Sequence, residues 1–420
     1  MRRVLLLSTT TGYQIRAFGE AAERLGVELV FATDRCRHLD DPWRDRAIAV
    51  RFHEEAQSVD AIEAAARAAP IDGLLAVGDR PTVLAALAAE RLGLPGHPPD
   101  AARAASNKRL ARERMRAAGL PSPWFTTVGL DADPVAVART VRYPCVVKPL
   151  ALAGSRGVIR ADDPRGFAEA VERLRRILRR KDVRVLRDPS NQEVLIEGFV
   201  PGREFALEGL LERGTLRTLA LFDKPEPLDG PFFEETIYVT PSALTPVDQG
   251  RLREAVSAAA AAFGLRHGPV HAECRVNAEG VFVHEVAARP IGGLCARALR
   301  FDGPDGIVSF EELLLRHALG EPIGEYRRER PASGVMMMAI PRWGFLKEVR
   351  GLEEAGRVPG IDEIRITASP DQILYPLPEG SSYLGFVFAR GATPAEVVAS
   401  LRSAHATLDL VIDRPLTLVE

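Results

Sequence analysis

Apolar and polar positions follow two periods through the first hundred residues. The short apolar runs "RRVLLLS" (2–8), "VELVFATD" (27–34), "IAVRF" (48–52) and "IDGLLAVGD" (71–79) read as strands. Between them, Gln14 to Leu25, "DAIEAAARAA" (60–69) and "PTVLAALAAERLG" (81–93) place apolar residues at helical spacing. Strands separated by helices of this length predict right-handed βαβ units and an open parallel sheet. Ligands of such sheets bind beyond the carboxyl ends of the strands, here Ser8 to Gly12 and Gly78 to Arg80. Neither loop carries G-x-G-x-x-G, which argues against a dinucleotide site and an NAD-dependent oxidoreductase.

The pattern then changes. "LGLPGHPPDAARAASNK" (92–108) is rich in turn residues and predicts a domain junction, followed by a charged helix from Lys108 to Ala118 that "GLPSPW" ends. "YPCVVKPL" and "GVIRADD" read as strands, Phe167 to Lys181 as a helix and "EVLIEGFV" as a strand. From "REFALEGLLERG" through "LRTLALFDKP" the alternation is antiparallel in style. An Ala-rich helix, Leu252 to Phe263, precedes "GPVHAECRVNAEG" and "VFVHEVAARP", a predicted hairpin turning at Asn277 to Gly280. After Gly320 the register changes again, and the tail from "SGVMMMAIP" to "LVIDRPLTLVE" reads as a small α+β unit of about a hundred residues.

Composition narrows the function classes. The 420 residues carry 55 basic and 57 acidic side chains, so no charge excess points to nucleic acid or an anionic membrane. The basic run "RLRRILRRKD" (173–182) lies on a helix whose inner face is Phe167, Val171, Leu174 and Leu178, which makes its arginines a solvated face. Cys36, Cys145, Cys274 and Cys295 form no C-x-x-C pair and suit a reducing, cytoplasmic setting. The apolar part of "MRRVLLLSTTTGY" covers only Val4 to Leu7, a first strand rather than a signal peptide, and no segment has the length of a membrane span.

Candidate chemistry begins at "YPCVVKPLALAGSRGV", Tyr143 to Val158. A lysine beside a glycine-rich loop suggests phosphate, but a P-loop has its glycines before the lysine. Here Lys148 ends a strand and Gly154, Ser155 and Gly157 follow. Other charged positions fall in order around it: Lys108 forty residues earlier, Glu197 closing "VLIEG", Glu204 seven residues on, Glu273, Glu285, and Arg289 in "EVAARPIGG". Singly these are ordinary surface charges. Glu273 and Glu285 differ, since each alternates with apolar neighbours on facing strands. Two inward carboxylates there repel unless neutralised, by a divalent cation with oxygen ligands or by a network with Arg289. Strand alternation puts His271 on the face of Glu273 and turns His284 away unless a bulge intervenes.

This ordered set resembles the ATP-grasp superfamily, and within it the carboxylate–amine ligases of L-amino acid ligase type, along essentially the whole chain. The resemblance implies an α/β and α+β architecture: a Rossmann-like pre-domain (1–106), an ATP-grasp domain (107–325, with a lid at about 123–197) and a C-terminal α+β domain (326–420). It further implies that ATP is bound by Lys108, Lys148, Gly154, Ser155, Gly157, Glu197, Val200 and Glu204. In that scheme the Glu197 strand meets the adenine edge and Glu204 the ribose. Glu273 and Glu285 would hold Mg²⁺ or Mn²⁺, and Arg289 would stabilise the acyl phosphate. The family often has Asn two residues after the second glutamate, where this chain has Ala287. "FDKPEPLDGPFFEETIYVTPS" (222–242) is expected to be an irregular loop, with Glu235 and Tyr238 facing the substrate amine, and His271, Gly292 and Gly293 completing the substrate site.

The implied activity is ADP-forming amide synthesis from a small-molecule carboxylate and amine, two L-amino acids above all, with neither nucleic acid nor membrane as partner and a homodimer left open. The alternatives are a carboxylase or nucleotide-biosynthetic ligase, which would want more basic residues than the acidic 222–235 stretch offers, and a non-catalytic ATP-binding regulator.

Overall fold

In the first strand, Arg3–Ser8, Val4 through Leu7 are all fully buried, as a strand covered on both faces requires. The computed structural model describes residues 1–9, 14–34, 47–304 and 306–413. Strands Arg3–Ser8, Glu28–Thr33, Ile48–Ala49 and Gly73–Val77 pair in parallel, the first strand lying between the second and the last. Ser8 and Gly78 to Arg80 stand at its carboxyl ends, while positions 10–12 of the first expected ligand loop, and Cys36, lie outside the described residues. The expected junction contains a helix, Pro99–Ser106, because a proline in its first turn is already set to helical φ.

Residues 125–198 form an antiparallel sheet ordered Phe125–Gly129, Glu193–Gly198, Cys145–Pro149, Ile159–Ala161. Helix Pro164–Leu178 covers it with Phe167, Val171, Leu174 and Leu178. Its arginines are not the wholly solvated face expected: Arg176 and Arg179 are exposed, but Arg175 turns back to donate to the carbonyls of Leu130 and Ala132, and Arg173 pairs with Glu379. The predicted hairpin is present as Gly268–Asn277 and Gly280–Ala287.

Two further expectations change. The 222–242 segment is not wholly irregular: Ile237–Thr240 is a strand, whose buried β-branched and aromatic residues suit a sheet interior. It pairs with Ala332–Met338, so three strands from the C-terminal hundred residues continue the central sheet, while Gly344–Arg350, Ile373–Leu374 and Asp409–Asp413 form a small sheet of their own. The central sheet has eight strands, running from the 280–287 strand at one edge to Ile361–Ile366 at the other. Among the described residues, no helix is long and apolar enough to cross a membrane.

His97, His267 and His317 meet where the first hundred residues pack on the central sheet, and the rings of His267 and His317 stack at 4.3 Å. Burial pulls both His97 and His317 down to about 4. In the unfolded chain they titrate near the ordinary value, about 6.5. The unfolded state therefore takes up protons first, and stability present above about pH 6.5 is lost progressively toward pH 4. Urea unfolding at pH 5 is expected to show about 2–4 kcal/mol less stability than at pH 7, with His317→Gln removing about half of that difference. An unchanged midpoint slope in His317→Gln would exclude this residue as a source of the acid sensitivity.

Candidate active site

Lys148 lies on a strand buried at every position, and an ammonium there needs a partner. It finds the Glu197 carboxylate on the neighbouring strand. The opposite face of that carboxylate is held by Arg112, fully buried, through Nε at 2.8 Å and Nη2 at 3.2 Å. Burial would raise the Glu197 carboxyl, but Arg112 and Lys148 hold it well below the usual carboxylate range. Burial brings Lys148 down to about 8 against the opposing pull of Glu197. The Glu197 side chain therefore serves Lys148, while the chain runs on through Gly198, Phe199 and Val200 along the cleft. Arg112 went unnoticed in the sequence, although it stands one helical turn after Lys108 and on the same face. Arg112→Met is expected to cost about 3 kcal/mol in urea unfolding, because it strips one cation from a buried carboxylate. A cost under about 1 kcal/mol would mean that Lys148 alone satisfies Glu197.

A second buried cation, Lys224, organises the other end of the cleft. Its Nζ reaches Glu204 at 2.8 Å, Glu273 at 3.3 Å and also Glu235. Burial lowers the Lys224 ammonium, yet the three carboxylates outweigh it and raise it well above the ordinary lysine value. One cation does not balance three anions. Burial and the neighbouring Glu273 push Glu235 up to about 7. The Tyr238 hydroxyl adds a donor to Glu273 at 3.3 Å. Lys224 was legible in principle: "FDKP" repeats the strand-lysine-proline pattern of "VVKP" at Lys148.

The hairpin supplies the remaining groups. Glu273 pairs directly with Glu285, but Cys274 pairs with Val283, so His284 is the extra residue of a β-bulge. The bulge overturns the expectation that His284 turns away. It lines the cleft, neutral because burial lowers it to about 3, and its Nε2 is buried without a partner. His271 reaches Glu273 through Nε2 at 3.2 Å, while its Nδ1 meets Glu208, a fully buried carboxylate that the sequence did not reveal. Arg289 is gripped by Asp79 through two bonds, 2.7 and 3.1 Å, and lies 3.9 Å from Glu285. Asp79 comes from the carboxyl end of the N-terminal sheet, where the topology places ligands.

One cleft of about 410 Å³ lies between the lid sheet, the central sheet and the N-terminal sheet, and Arg112, Lys224 and Glu208 stand behind its lining, each holding a side chain that faces it. Of the candidates, Lys108, Lys148, Gly154, Ser155, Glu197, Val200, Glu204, Glu235, Tyr238, His271, Glu273, Glu285, Arg289, Gly292 and Gly293 line it. Gly157 does not. It packs on Leu174 and Pro149, and its N–H donates to the Pro378 carbonyl at 3.0 Å, so that amide is taken. A shallower groove beside helix Pro246–Phe263, about 590 Å³, contains none of the candidates. Oxygens of Glu204, Glu235 and Glu273 lie within 4.8 Å of one another around the Lys224 ammonium. Glu273 and Glu285, paired across the hairpin and both lining the cleft, are the hard, anionic donors that fit a divalent cation with its phosphate ligand. Ala287, opposite His271, contributes no donor side chain.

Comparison with known proteins agrees with this architecture. Residues 19–96 match the ATP-grasp N-terminal domain, 141–298 the ATP-grasp domain and 336–413 the L-amino acid ligase C-terminal domain 2. The crystal structure of L-amino acid ligase from Bacillus licheniformis superposes with a TM-score of 0.82 at 26% identity, covering 99% of each chain. Dapdiamide A synthase of Enterobacter agglomerans is 25% identical over 71% of this chain and 71% of its own. Carnosine synthase 1 of Gallus gallus is 30% identical over 68% of this chain, which spans only 32% of that relative. The chain belongs to the ATP-grasp superfamily. Its domain set is that of the carboxylate–amine ligases of L-amino acid ligase type.

Proposed function

We propose that the cleft binds ATP between the lid and the central sheet and spends it on joining two L-amino acids, with release of ADP and phosphate. The observation that carries this reading is the polarity of one cleft. Its lining joins Lys108 and Lys148 beside the 153–155 loop to the carboxylates of Glu204, Glu235, Glu273 and Glu285 and to Arg289. Phosphoryl transfer asks little covalent work of the protein and much positioning and charge stabilisation. In the first step a substrate carboxylate oxygen attacks the γ-phosphorus and the bond to ADP breaks. In the second, an amine nitrogen attacks the acyl carbon and phosphate leaves.

Lys148 and Lys108 supply point charges to the phosphates, with the 153–157 loop above them. Glu204 takes the ribose hydroxyls. Arg289 faces the oxygens on which charge develops, and Lys224 holds Glu204, Glu235 and Glu273 in place from behind the cleft wall. Glu235 accepts hydrogen bonds from the substrate amine, and a carboxyl pushed up to about 7 is suited to receive a proton as the amide forms. Glu273 and Glu285 would hold Mg²⁺ or Mn²⁺, which when bound neutralises phosphate charge. Tyr238, Met337, Tyr383 and Phe386 give the inner wall an apolar character that suits an amino-acid side chain. Buried, unpaired Cys145, Cys274 and Cys295 suit a reducing cytoplasm.

The test is phosphate release from Mg-ATP with the twenty amino acids, singly and in pairs, with Glu273→Ala as the blank. Release that depends on a particular pair supports an amide-forming ligase. Silence across the whole panel, with ATP still bound, removes amino acids as the substrates.

A further inference from the structure

The loop expected to cover the phosphates is fastened to the C-terminal part of the chain. The Gly157 N–H donates to the Pro378 carbonyl at 3.0 Å, and Arg156 Nε donates to the Glu379 carbonyl at 2.9 Å. On the lid helix, Arg173 grips the Glu379 carboxylate with Nε at 2.6 Å and Nη2 at 2.9 Å. Beside it, the Arg180 guanidinium lies over the Tyr375 ring at 4.3 Å. Gly154, at φ +63°, leaves no slack here either, since a Cβ would come within 3.3 Å of Ser381. Three elements of the lid thus converge on the segment 375–381.

The same segment continues straight into the cleft. Ser381, Ser382 and Tyr383 line it, and Leu384 is pinned to the central sheet by its N–H on the Met338 carbonyl at 2.9 Å. Arg173 has a second contact. Its guanidinium lies 4.7 Å from the ring centroid of Phe232, in the loop that carries Glu235. One arginine therefore touches both the segment ending at Tyr383 and the loop ending at Glu235.

We infer that Glu379 is a positioning residue: with its carboxylate on Arg173 and its carbonyl on the Arg156 side chain, it holds the phosphate loop over the nucleotide and ties that closure to the substrate wall at Tyr383. The pair is charge-assisted and bidentate, which fixes geometry as well as charge. Both side chains are partly exposed, 35% for Arg173 and 28% for Glu379, so the pair adds little to global stability. Its effect falls on the lid, at the end that carries the 153–157 loop. The inference rests on the nucleotide half of the function proposed above and not on which acid and amine are joined.

The experiment is titration of the protein with a non-hydrolysable ATP analogue and Mg²⁺, comparing wild type, Glu379→Gln, Arg173→Gln and the double variant. Each single variant is expected to bind the analogue about three- to tenfold more weakly, and the double variant no more weakly than either single one. Where an amino-acid pair supports turnover, KM for ATP rises by the same factor while kcat stays within about twofold, a split that general destabilisation would not produce. Unchanged analogue affinity in Glu379→Gln overturns the inference, and so do strictly additive losses in the double variant. Analogue binding needs no amino acid, so a failed substrate panel would sink the proposed function while leaving this result readable.

Discussion

Replacing Lys224 with methionine is expected to abolish most turnover and to destabilise the fold together. Methionine matches the length of the aliphatic stem and removes the only lysine that reaches Glu204, Glu235 and Glu273. Breaking a buried ion pair by removing one partner costs about 3–5 kcal/mol, because the remaining charge keeps its desolvation penalty. Arg275 still satisfies one oxygen of Glu204 at 3.0 Å, which places the expected loss at the lower end, about 3 kcal/mol. The loss has a pH signature. Glu235 has a folded value of about 7 even with Lys224 present, so without it the carboxyl is neutral across a wider range. Protonation relieves the repulsion, and the deficit relative to wild type is therefore smaller at pH 6 than at pH 8. Phosphate release should fall by about 100-fold or more, the scale on which one preorganised donor acts. Lys224→Arg separates the two effects: it keeps the charge, restores part of the stability, and leaves activity low, since a planar fork does not replace a point donor among three carboxylates. Near wild-type turnover in Lys224→Met would remove this lysine from the chemistry.

Glu273→Gln and Glu285→Gln are expected to lose turnover by about 1000-fold or more while remaining folded. Lys224 and His271 hold the Glu273 carboxyl well below the usual carboxylate range against its burial, so its charge is stabilised in the fold. Thermal unfolding of Glu273→Gln should therefore occur below the wild-type temperature. Glu285 is less constrained, 3.9 Å from an Arg289 that Asp79 already holds, and its replacement should leave stability within about 0.5 kcal/mol. Manganese titration in the presence of an ATP analogue reads the ion directly. Weaker binding in both variants supports a shared metal, and retained ADP release in both would sink the assignment.

Much of the site was legible as an order along the chain. Lysines that end strands before a proline, and glutamates that alternate with apolar neighbours, are conspicuous because burying a charge is costly and rarely accidental. Lys148, Glu273 and Glu285 stand out that way, Lys108, Glu204 and Arg289 came from the resemblance of the ordered set, and all face the cleft. Asp79 lies in the 78–80 loop that strand order marks for ligands, but its grip on Arg289 was not foreseen. Arg112 and Glu208 went unnoticed: each sits in a segment whose local pattern looks complete without it, and each acquires its role from a partner 63 to 85 residues away. His284 was misplaced by strict alternation, since one inserted residue in one strand reverses the face of everything beyond it.

By itself, the sequence determined the elements and their class: a parallel βαβ start, an antiparallel centre, the hairpin with its paired glutamates, and the lysine-first loop. These follow from side-chain period and turn chemistry, which are local properties of the backbone. Only the tertiary structure decided how the charges are shared. It gave Glu197 to Lys148 and Arg112, set Lys224 among three carboxylates, joined Arg289 to Asp79, and bound Gly157 to the C-terminal segment instead of leaving its amide free. The physical reason is that desolvation obliges every buried charge to find a counter-charge, and the nearest one in space is set by packing and not by distance along the chain.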